Sequence, residues 1–183
     1  MKPLKEFVRQ RLPDILQKIE RDDIGASVTE LNIYEKALIY YYSIDGYEQL
    51  NEDLRDGKPN EYEVYLNEAL DKLPDYDGES FRGAALTNAE ILRYKNAIES
   101  DEIIVYPAFL SSSKSLGVAR AYSRGSTVFT IASKTGKNIE EISFYGTRSP
   151  QNEKEILYRS KIKFSVISID QTTHITLITL EEV

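Results

Sequence analysis

The spacing of the apolar residues changes near residue 75, and this change limits the fold class. Before that point, apolar side chains recur every three or four positions, which predicts amphipathic helices. After it, short stretches read as strands, and in Lys161–Ile169 the residues Ile162, Phe164 and Val166 alternate with polar ones. Helices followed by strands predict an α+β protein.

Turn and cap signals divide the helical region. Pro13 is expected to kink or break the first amphipathic stretch. Ser27 and Glu30 have the spacing of a capping box, so we predict a second helix over 31–42, with Gly46 closing it. Further helices are predicted at 47–54 and 62–73.

The second part of the chain carries the strand signals. One more helix is predicted at 88–99, and one or two helical turns at 115–122. Since no repeat or linker interrupts the chain, we predict a single domain over 1–183, helical over 1–75 and mainly β over 76–183. The predicted strands are 79–83, 102–106, 127–132, 161–169 and 174–180.

Composition excludes several kinds of site. The chain has no cysteine, which excludes a disulfide framework, a thiolate nucleophile and a zinc site built on sulfur. Because His174 is its only histidine, a histidine-rich metal site is excluded, and we expect no metal. The net charge of −7 argues against duplex DNA as a partner. Residues 1–80 carry −9 and residues 81–183 carry +2, so an anionic ligand should bind the second part.

The N-terminal sequence has no apolar run of signal-peptide length, and no later segment approaches a membrane span. We therefore expect no membrane partner. The expected location is the cytoplasm of the producing or infected cell, or a target cell reached without a signal peptide.

The first candidate motif is Arg82-Gly83 at the end of a predicted strand. A guanidinium group matches two anionic oxygens of a diphosphate, and glycine allows the backbone to approach closely. Taken alone, a surface arginine before a turn explains the motif better.

The second candidate motif is the serine run Ser111-Ser112-Ser113, which follows Phe109. Hydroxyls at a strand end can hold a ribose or a carboxylate by hydrogen bonding. A plain polar turn would have the same composition, and alone it is the simpler explanation.

The third candidate motif is the pair Glu153 and Glu155. At strand spacing both carboxylates would face the same side, where one can stabilise a developing cation while the other orients a nucleophile. An acidic, solvated strand edge is the alternative.

In this order, the arginine, serine and glutamate motifs resemble those of the mono-ADP-ribosyltransferases of the arginine–serine–glutamate type. That family includes bacterial actin-modifying toxins and bacteriophage enzymes, and the resemblance also takes in the helical residues 37–55 and the approach to the arginine strand at 69–74. It implies NAD+ as substrate. It also implies an α+β fold in which N-terminal helices pack on a two-sheet β core, with NAD in the cleft between them.

The resemblance implies transfer of ADP-ribose to an arginine of a target protein, with release of nicotinamide and inversion at the anomeric carbon. The broken bond is a glycosidic C–N bond, so the transition state should be oxocarbenium-like. Glu155 would bind the nicotinamide-ribose 2′-hydroxyl and stabilise the cation as it forms. Glu153 would hold the acceptor guanidinium, because a glutamate at this position accompanies arginine acceptors in the family.

Further residues receive roles from the same resemblance. Arg82 would hold the NAD diphosphate, and Ser111 would orient Glu155 and the ribose. Tyr145 would touch the acceptor. Ala108 stands where some relatives carry an asparagine that contacts the cofactor. The other expected NAD contacts are Gly83, Tyr42, Tyr47, Asn51, Phe109, Ser113, Tyr122 and Arg124.

Three other functions stay open at this stage. The site could chiefly hydrolyse NAD, it could modify a nucleic acid or a small molecule, or it could bind NAD without turnover. The expected partners are a target protein that presents an arginine and, for a toxin, an inhibitor or immunity protein. A phage enzyme and a bacterial toxin both fit, with slight preference for a phage or intracellular enzyme.

Overall fold

The computed structural model describes residues 2–183, which form two compact units. The helical unit runs to Pro74 and also includes the later segment Lys137–Lys154. The sheet unit combines Asp75–Gly136 with Glu155–Val183. No helix within residues 2–183 has the length and hydropathy needed to span a bilayer.

Five α-helices make up most of the helical unit. The predicted break at Pro13 is confirmed, since Leu12 separates the first two helices and Pro13 begins the second. Proline suits that place because the first residue of a helix needs no backbone N–H donor. The helices are α1 (Leu4–Arg11), α2 (Pro13–Asp22), α3 (Ile33–Tyr41), α4 (Tyr47–Arg55) and α5 (Glu61–Leu70).

The capping box of α3 lies later than the sequence suggested, so the prediction at Ser27 and Glu30 was wrong. The Asn32 side chain accepts from the N–H groups of Tyr34 and Glu35, and the Glu35 carboxylate accepts from Asn32 N at 2.9 Å. Asn32 has extended backbone angles and directly precedes the helix, as a capping residue must.

Gly46 does not end a helix, contrary to the expectation from sequence. A π-helical turn, Tyr42–Gly46, joins α3 directly to α4. A Cβ atom on Gly46 would lie 2.7 Å from the Tyr41 ring, so glycine is needed here for close packing.

The sheet unit contains seven strands and two helices, which confirms the α+β class. The strand order is β1-β3-β5-β4-β7-β6-β2; β4 and β7 run parallel, while β1–β3, β3–β5, β6–β7 and β2–β6 are antiparallel. The strands are β1 (Asp75–Ala84), β2 (Ile104–Tyr106), β3 (Leu110–Ser113), β4 (Thr127–Asn138), β5 (Glu155–Tyr158), β6 (Ile162–Gln171) and β7 (Thr176–Glu182). The helices are α6 (Asn88–Ser100) and α7 (Leu116–Tyr122).

The strands form one hydrogen-bonded sheet, whereas two sheets were expected. The reason is the length of β4, which has 12 residues. Its first part, Thr127–Ala132, pairs with β7, and the same strand also pairs with β5 and β1. One long strand therefore links the two groups of shorter strands.

The core of the sheet unit is apolar and aromatic. Residues from α6 and from six of the strands are buried together, and Tyr158 and Phe164 are fully buried with their rings edge to face at 5.6 Å. Burial of this kind is the main source of stability in a domain. The other members are Tyr94, Ala97, Ile104, Leu110, Phe129, Ile131, Ile156, Ile178 and Leu180.

Gly83 is the point where β1 meets α7. A Cβ atom at this position would lie 1.9 Å from the Ala119 carbonyl oxygen and 2.4 Å from the Ser123 nitrogen. The sequence analysis expected a close backbone approach at this glycine, and the backbone that approaches is that of α7.

Replacing Gly83 with alanine should strongly destabilise the protein, because both neighbouring atoms belong to the backbone and cannot swing away. We expect the free energy of unfolding to fall by about 3 kcal/mol. Denaturant unfolding followed by circular dichroism measures the change.

Gly117→Ala is the matched control, since Gly117 lies in α7 itself. A Cβ there would meet only the Ser115 side chain, at 3.6 Å. Alanine favours helix over glycine by up to about 1 kcal/mol, so this variant should be neutral or more stable. Equal losses in the two variants would contradict the packing argument.

Candidate active site

Three neighbouring strands bring the sequence motifs together. β3 pairs with β1 through Ser113 and Phe81, and with β5 through Ser113 and Glu155 and through Ser111 and Leu157. Arg82 follows Phe81 on β1. The strand order therefore joins side chains that lie far apart in the sequence.

Arg82, Ser111 and Glu155 form a chain of hydrogen bonds across these strands. Arg82 Nη1 donates to the carbonyl oxygen of Ser111 at 2.6 Å, and Ser111 Oγ donates to Glu155 Oε1 at 2.7 Å. Glu155 is only 6% exposed, while the other two residues are half-buried. A buried carboxylate needs such donors, because desolvation otherwise makes its charge costly.

A network of buried hydroxyl groups lies beside this chain, and the sequence analysis missed it. The Tyr158 phenol and Ser80 Oγ are 2.8 Å apart, and Ser112 Oγ donates to the Ile156 carbonyl at 3.1 Å. Burial raises the pKa of Tyr158, and hydrogen bonds from Ser133, Ser80 and Ser112 oppose the rise. Ser80 and Ser112 stand on the strands of Arg82 and Ser111, so the network ties those strands together.

A pair of tyrosines near Arg82 was also missed. The phenols of Tyr94 on α6 and Tyr106 on β2 hydrogen-bond to each other. Burial raises the pKa of both groups, and the positive charge of Arg82 opposes that rise. A tyrosine inside an apolar pattern reads as a core residue, so periodicity alone gave no signal for either side chain.

The remaining predicted NAD contacts of the sheet unit differ in how far they are exposed. Phe109 and Ser113 are buried, and Ser113 Oγ accepts from Ser115 N at 2.9 Å, before α7 begins. Tyr122 is 58% exposed at the end of α7, and Arg124 follows it in an exposed turn.

Glu153 and Glu155 do not share the face of one strand, so that expectation was wrong. β5 begins at Glu155, and Lys154 just before it has a φ of 51°. The two-residue alternation of side chains holds only within extended backbone, and a left-handed residue interrupts it. Glu153 belongs to the helical unit, where its N–H donates to the Tyr145 carbonyl at 2.8 Å.

The helical unit contains the other residues predicted to contact NAD or the acceptor. They lie in α4, in the π-helical turn and in the segment Lys137–Lys154. Asn51 Nδ2 donates to the Tyr42 phenol at 3.1 Å, and the Tyr42 and Tyr47 rings lie 6.3 Å apart, edge to face. Loss of solvent raises the pKa of Tyr47; Glu48 and, more weakly, Tyr145 add to the rise.

These residues differ in how accessible they are. Tyr42 and Asn51 are buried, whereas Tyr47 is 42% exposed and Tyr145 is half-buried. Tyr47 and Tyr145 are thus the two that present surface to a ligand. Within residues 2–183, no cluster of three or more histidine, aspartate or glutamate side chains is placed to hold a metal ion.

Mav and Tre1 are among the bacterial proteins that the chain resembles in sequence, whereas no protein-family model matches it. It is 34% identical over 153 residues to Mav of Mycobacterium avium (strain 104), which is named a NAD(+)–arginine ADP-ribosyltransferase; the match covers 80% of this chain and 18% of Mav. It is 33% identical over 147 residues to Tre1 of Serratia proteamaculans (strain 568), named a NAD(+)–protein-arginine ADP-ribosyltransferase, with coverages of 76% and 30%. The chain thus spans less than a third of either relative.

The fold of the chain is also similar to that of solved protein structures. The crystal structure of the ADP-ribosyltransferase Vis of Vibrio splendidus, in complex with agmatine, matches with a TM-score of 0.70 at 25% identity, over 94% of this chain and 85% of that one. Another solved ADP-ribosyltransferase, at 20% identity, has a TM-score of 0.79 and shows the fold alone.

The fold and the hydrogen-bonded arginine, serine and glutamate define the class of protein: the chain has the ADP-ribosyltransferase fold. Within that class it is a relative of the NAD(+)–arginine ADP-ribosyltransferases, as the sequence motifs suggested.

Proposed function

We propose that the chain transfers ADP-ribose from NAD+ to an arginine side chain of a target protein and releases nicotinamide. The observation that carries this proposal is the hydrogen-bonded chain Arg82–Ser111–Glu155 on three adjacent strands. The names of Mav and Tre1, and the agmatine bound to Vis, support arginine as the acceptor, since agmatine carries a guanidinium group.

Glu155 is proposed to act on the ribose next to the nicotinamide. Its carboxylate accepts from Ser111, which orients the group, and a carboxylate has enough acceptor sites to accept from the 2′-hydroxyl of the ribose as well. As the C1′–N bond breaks, its electron pair leaves with nicotinamide and positive charge develops on the ribose. A fixed negative charge close to that position lowers the barrier.

Arg82 is proposed to bind the diphosphate of NAD+. Its guanidinium has five N–H donors, and the bond to the Ser111 carbonyl takes one of them. That bond also directs the planar group, which suits pairing with anionic oxygens. Gly83, Phe109, Ser113, Tyr122 and Arg124 in the sheet unit, and Tyr42, Tyr47 and Asn51 in the helical unit, stay predicted contacts or supports for NAD.

Glu153 and Tyr145 are proposed to act on the acceptor. A carboxylate pairs with a guanidinium through two parallel hydrogen bonds, and it can accept the proton that the guanidinium loses when its nitrogen attacks C1′. The backbone bond from Glu153 to Tyr145 keeps the two residues together. The partner is a protein with an accessible arginine, and an inhibitor or immunity protein remains a prediction.

One assay tests the proposed function directly. The protein is incubated with NAD+ labelled in its adenylate part and with a bacterial lysate. Label fixed on protein bands supports the transferase, and hydroxylamine-sensitive linkage supports arginine as the acceptor. Label found only as free ADP-ribose identifies an NAD glycohydrolase, and an absence of nicotinamide release indicates a binding module.

Glu155→Gln should abolish both transfer and nicotinamide release. The amide keeps the shape of the side chain but removes its negative charge, so the rate should fall by about a hundred- to a thousandfold. Release of nicotinamide from NAD+ measures the effect. A variant that stays fully active would show that the site is assigned incorrectly.

Ser111→Ala should slow nicotinamide release, whereas Ser112→Ala should leave it nearly unchanged. Both serines lie on β3, but only Ser111 Oγ bonds to Glu155; Ser112 Oγ bonds to the Ile156 carbonyl. A hydrogen bond to a charged group contributes about 1.5–3 kcal/mol, so we expect a loss of about ten- to a hundredfold for Ser111 alone. Equal rates in the two variants would refute the orienting role.

Glu153→Gln should lose transfer to arginine while it keeps hydrolysis of NAD+. The amide cannot pair with a guanidinium as a carboxylate does, nor accept its proton, but Glu155 and Arg82 remain intact. ADP-ribosylated agmatine and total nicotinamide are measured in the same reaction. Transfer at the parent rate would contradict the acceptor role.

A further inference from the structure

The segment Lys137–Lys154 carries Tyr145 and Glu153, and two residues outside the arginine, serine and glutamate motifs anchor it within the helical unit. One is Ser43 in the π-helical turn, and the other is Arg148 in the segment itself. Each makes two hydrogen bonds to main-chain atoms, so each fixes backbone rather than a single side chain.

Ser43 connects the π-helical turn to the residue before Tyr145. Its hydroxyl donates to the Tyr40 carbonyl at 2.8 Å and accepts from the Phe144 N–H at 2.8 Å. The residue is buried, so water cannot easily replace either bond. The Phe144 ring packs edge to face on Tyr40, which adds an apolar contact at the same place.

Arg148 connects the other side of the segment to the end of α2. Its guanidinium donates to the carbonyls of Asp22 and Asp23, the latter at 2.8 Å. Asp23 is the left-handed C-cap of α2. The last carbonyls of a helix lack partners within the helix and carry partial negative charge, so a cation there is favourable.

Both anchors act on the part of the segment that leads to Glu153. Phe144 precedes Tyr145, whose carbonyl accepts from Glu153 N at 2.8 Å. The two hydrogen bonds of the chain Arg82–Ser111–Glu155, by contrast, both lie within the sheet unit. Loosening the anchors should therefore move the acceptor residues and leave the Arg82–Ser111–Glu155 hydrogen bonds in place.

We infer that Ser43 and Arg148 are positioning residues for the acceptor, and that they set the fraction of ADP-ribose that goes to a guanidinium rather than to water. This inference rests on the proposed function. It assigns a role in acceptor choice to two residues that belong to none of the three motifs, the arginine, the serine or the glutamate motif.

The test compares Ser43→Ala and Arg148→Gln with the parent, using agmatine as the acceptor. We expect the transferred fraction to fall about five- to tenfold in each variant, as loss of a hydrogen bond of about 1 kcal/mol or slightly more implies. Nicotinamide release at saturating NAD+, measured without agmatine, should change by less than about twofold. Ser43→Thr keeps the hydroxyl and should restore the parent fraction.

Arg9→Gln is the matched control for Arg148→Gln. Arg9, in α1, is also an exposed arginine of the helical unit. Its guanidinium lies over the ring of Tyr34 in α3 instead of bonding to the segment. This variant should keep the parent fraction. A parallel fall of transfer and hydrolysis in the anchor variants, or an unchanged fraction, would overturn the inference.

Hydrogen exchange supplies a readout that does not depend on activity. The Phe144 amide should exchange faster in Ser43→Ala, and the segment as a whole faster in Arg148→Gln, while the amides of Thr127–Ala132 in β4 keep their protection. Unchanged exchange in both variants overturns the anchoring. A parent that neither transfers nor releases nicotinamide overturns the proposed function and the acceptor role with it, whereas the exchange data still decide the anchoring.

Discussion

The hydrogen bond from Ser111 to Glu155 is the interaction on which the site depends. Glu155 is almost fully buried, and a carboxylate in that state is tolerated only where donors compensate for lost water. The donor stands on β3 and the carboxylate on β5, so the pairing of these strands brings the donor to the buried carboxylate. Arg82 extends the same bonding to β1, because its guanidinium fixes the carbonyl of the residue that holds the carboxylate.

The order of the strands explains how distant residues meet. β1, β3 and β5 are neighbours in the sheet, although α6, β2, α7 and β4 lie between them in the sequence. Two features keep this arrangement close. Gly83 lets β1 approach the backbone of α7, and the buried Tyr158 phenol joins serine hydroxyls of neighbouring strands. The residues that support the candidate site are therefore small or carry hydroxyl groups, and a pattern of hydrophobic residues does not reveal them.

The sequence predicted the helices and breaks that depend on local signals. It failed for features that contacts between distant residues determine. The break at Pro13 and the helix at 88–99 were predicted from proline geometry and periodicity, and the structure confirms them. Gly46 looked like a helix end, but packing against Tyr41 is what requires it. The two glutamates were expected on one strand face, and the left-handed φ of Lys154 prevents this. For the site, the resemblance supplied Arg82, Ser111 and Glu155, whereas the network around Tyr158 depends on strand pairing that no single segment reveals.

Lys154 illustrates why the residue between the two glutamates matters. A left-handed backbone costs a non-glycine residue about 1–2 kcal/mol, and such strain persists where the surrounding structure enforces it. Glu153 is held on one side of it by Tyr145, and Glu155 on the other by Ser111. A glycine would relieve the strain, but it would also free the backbone that connects the two carboxylates. The strained lysine therefore gives a defined local backbone conformation between the residue proposed for the acceptor and the residue proposed for NAD+.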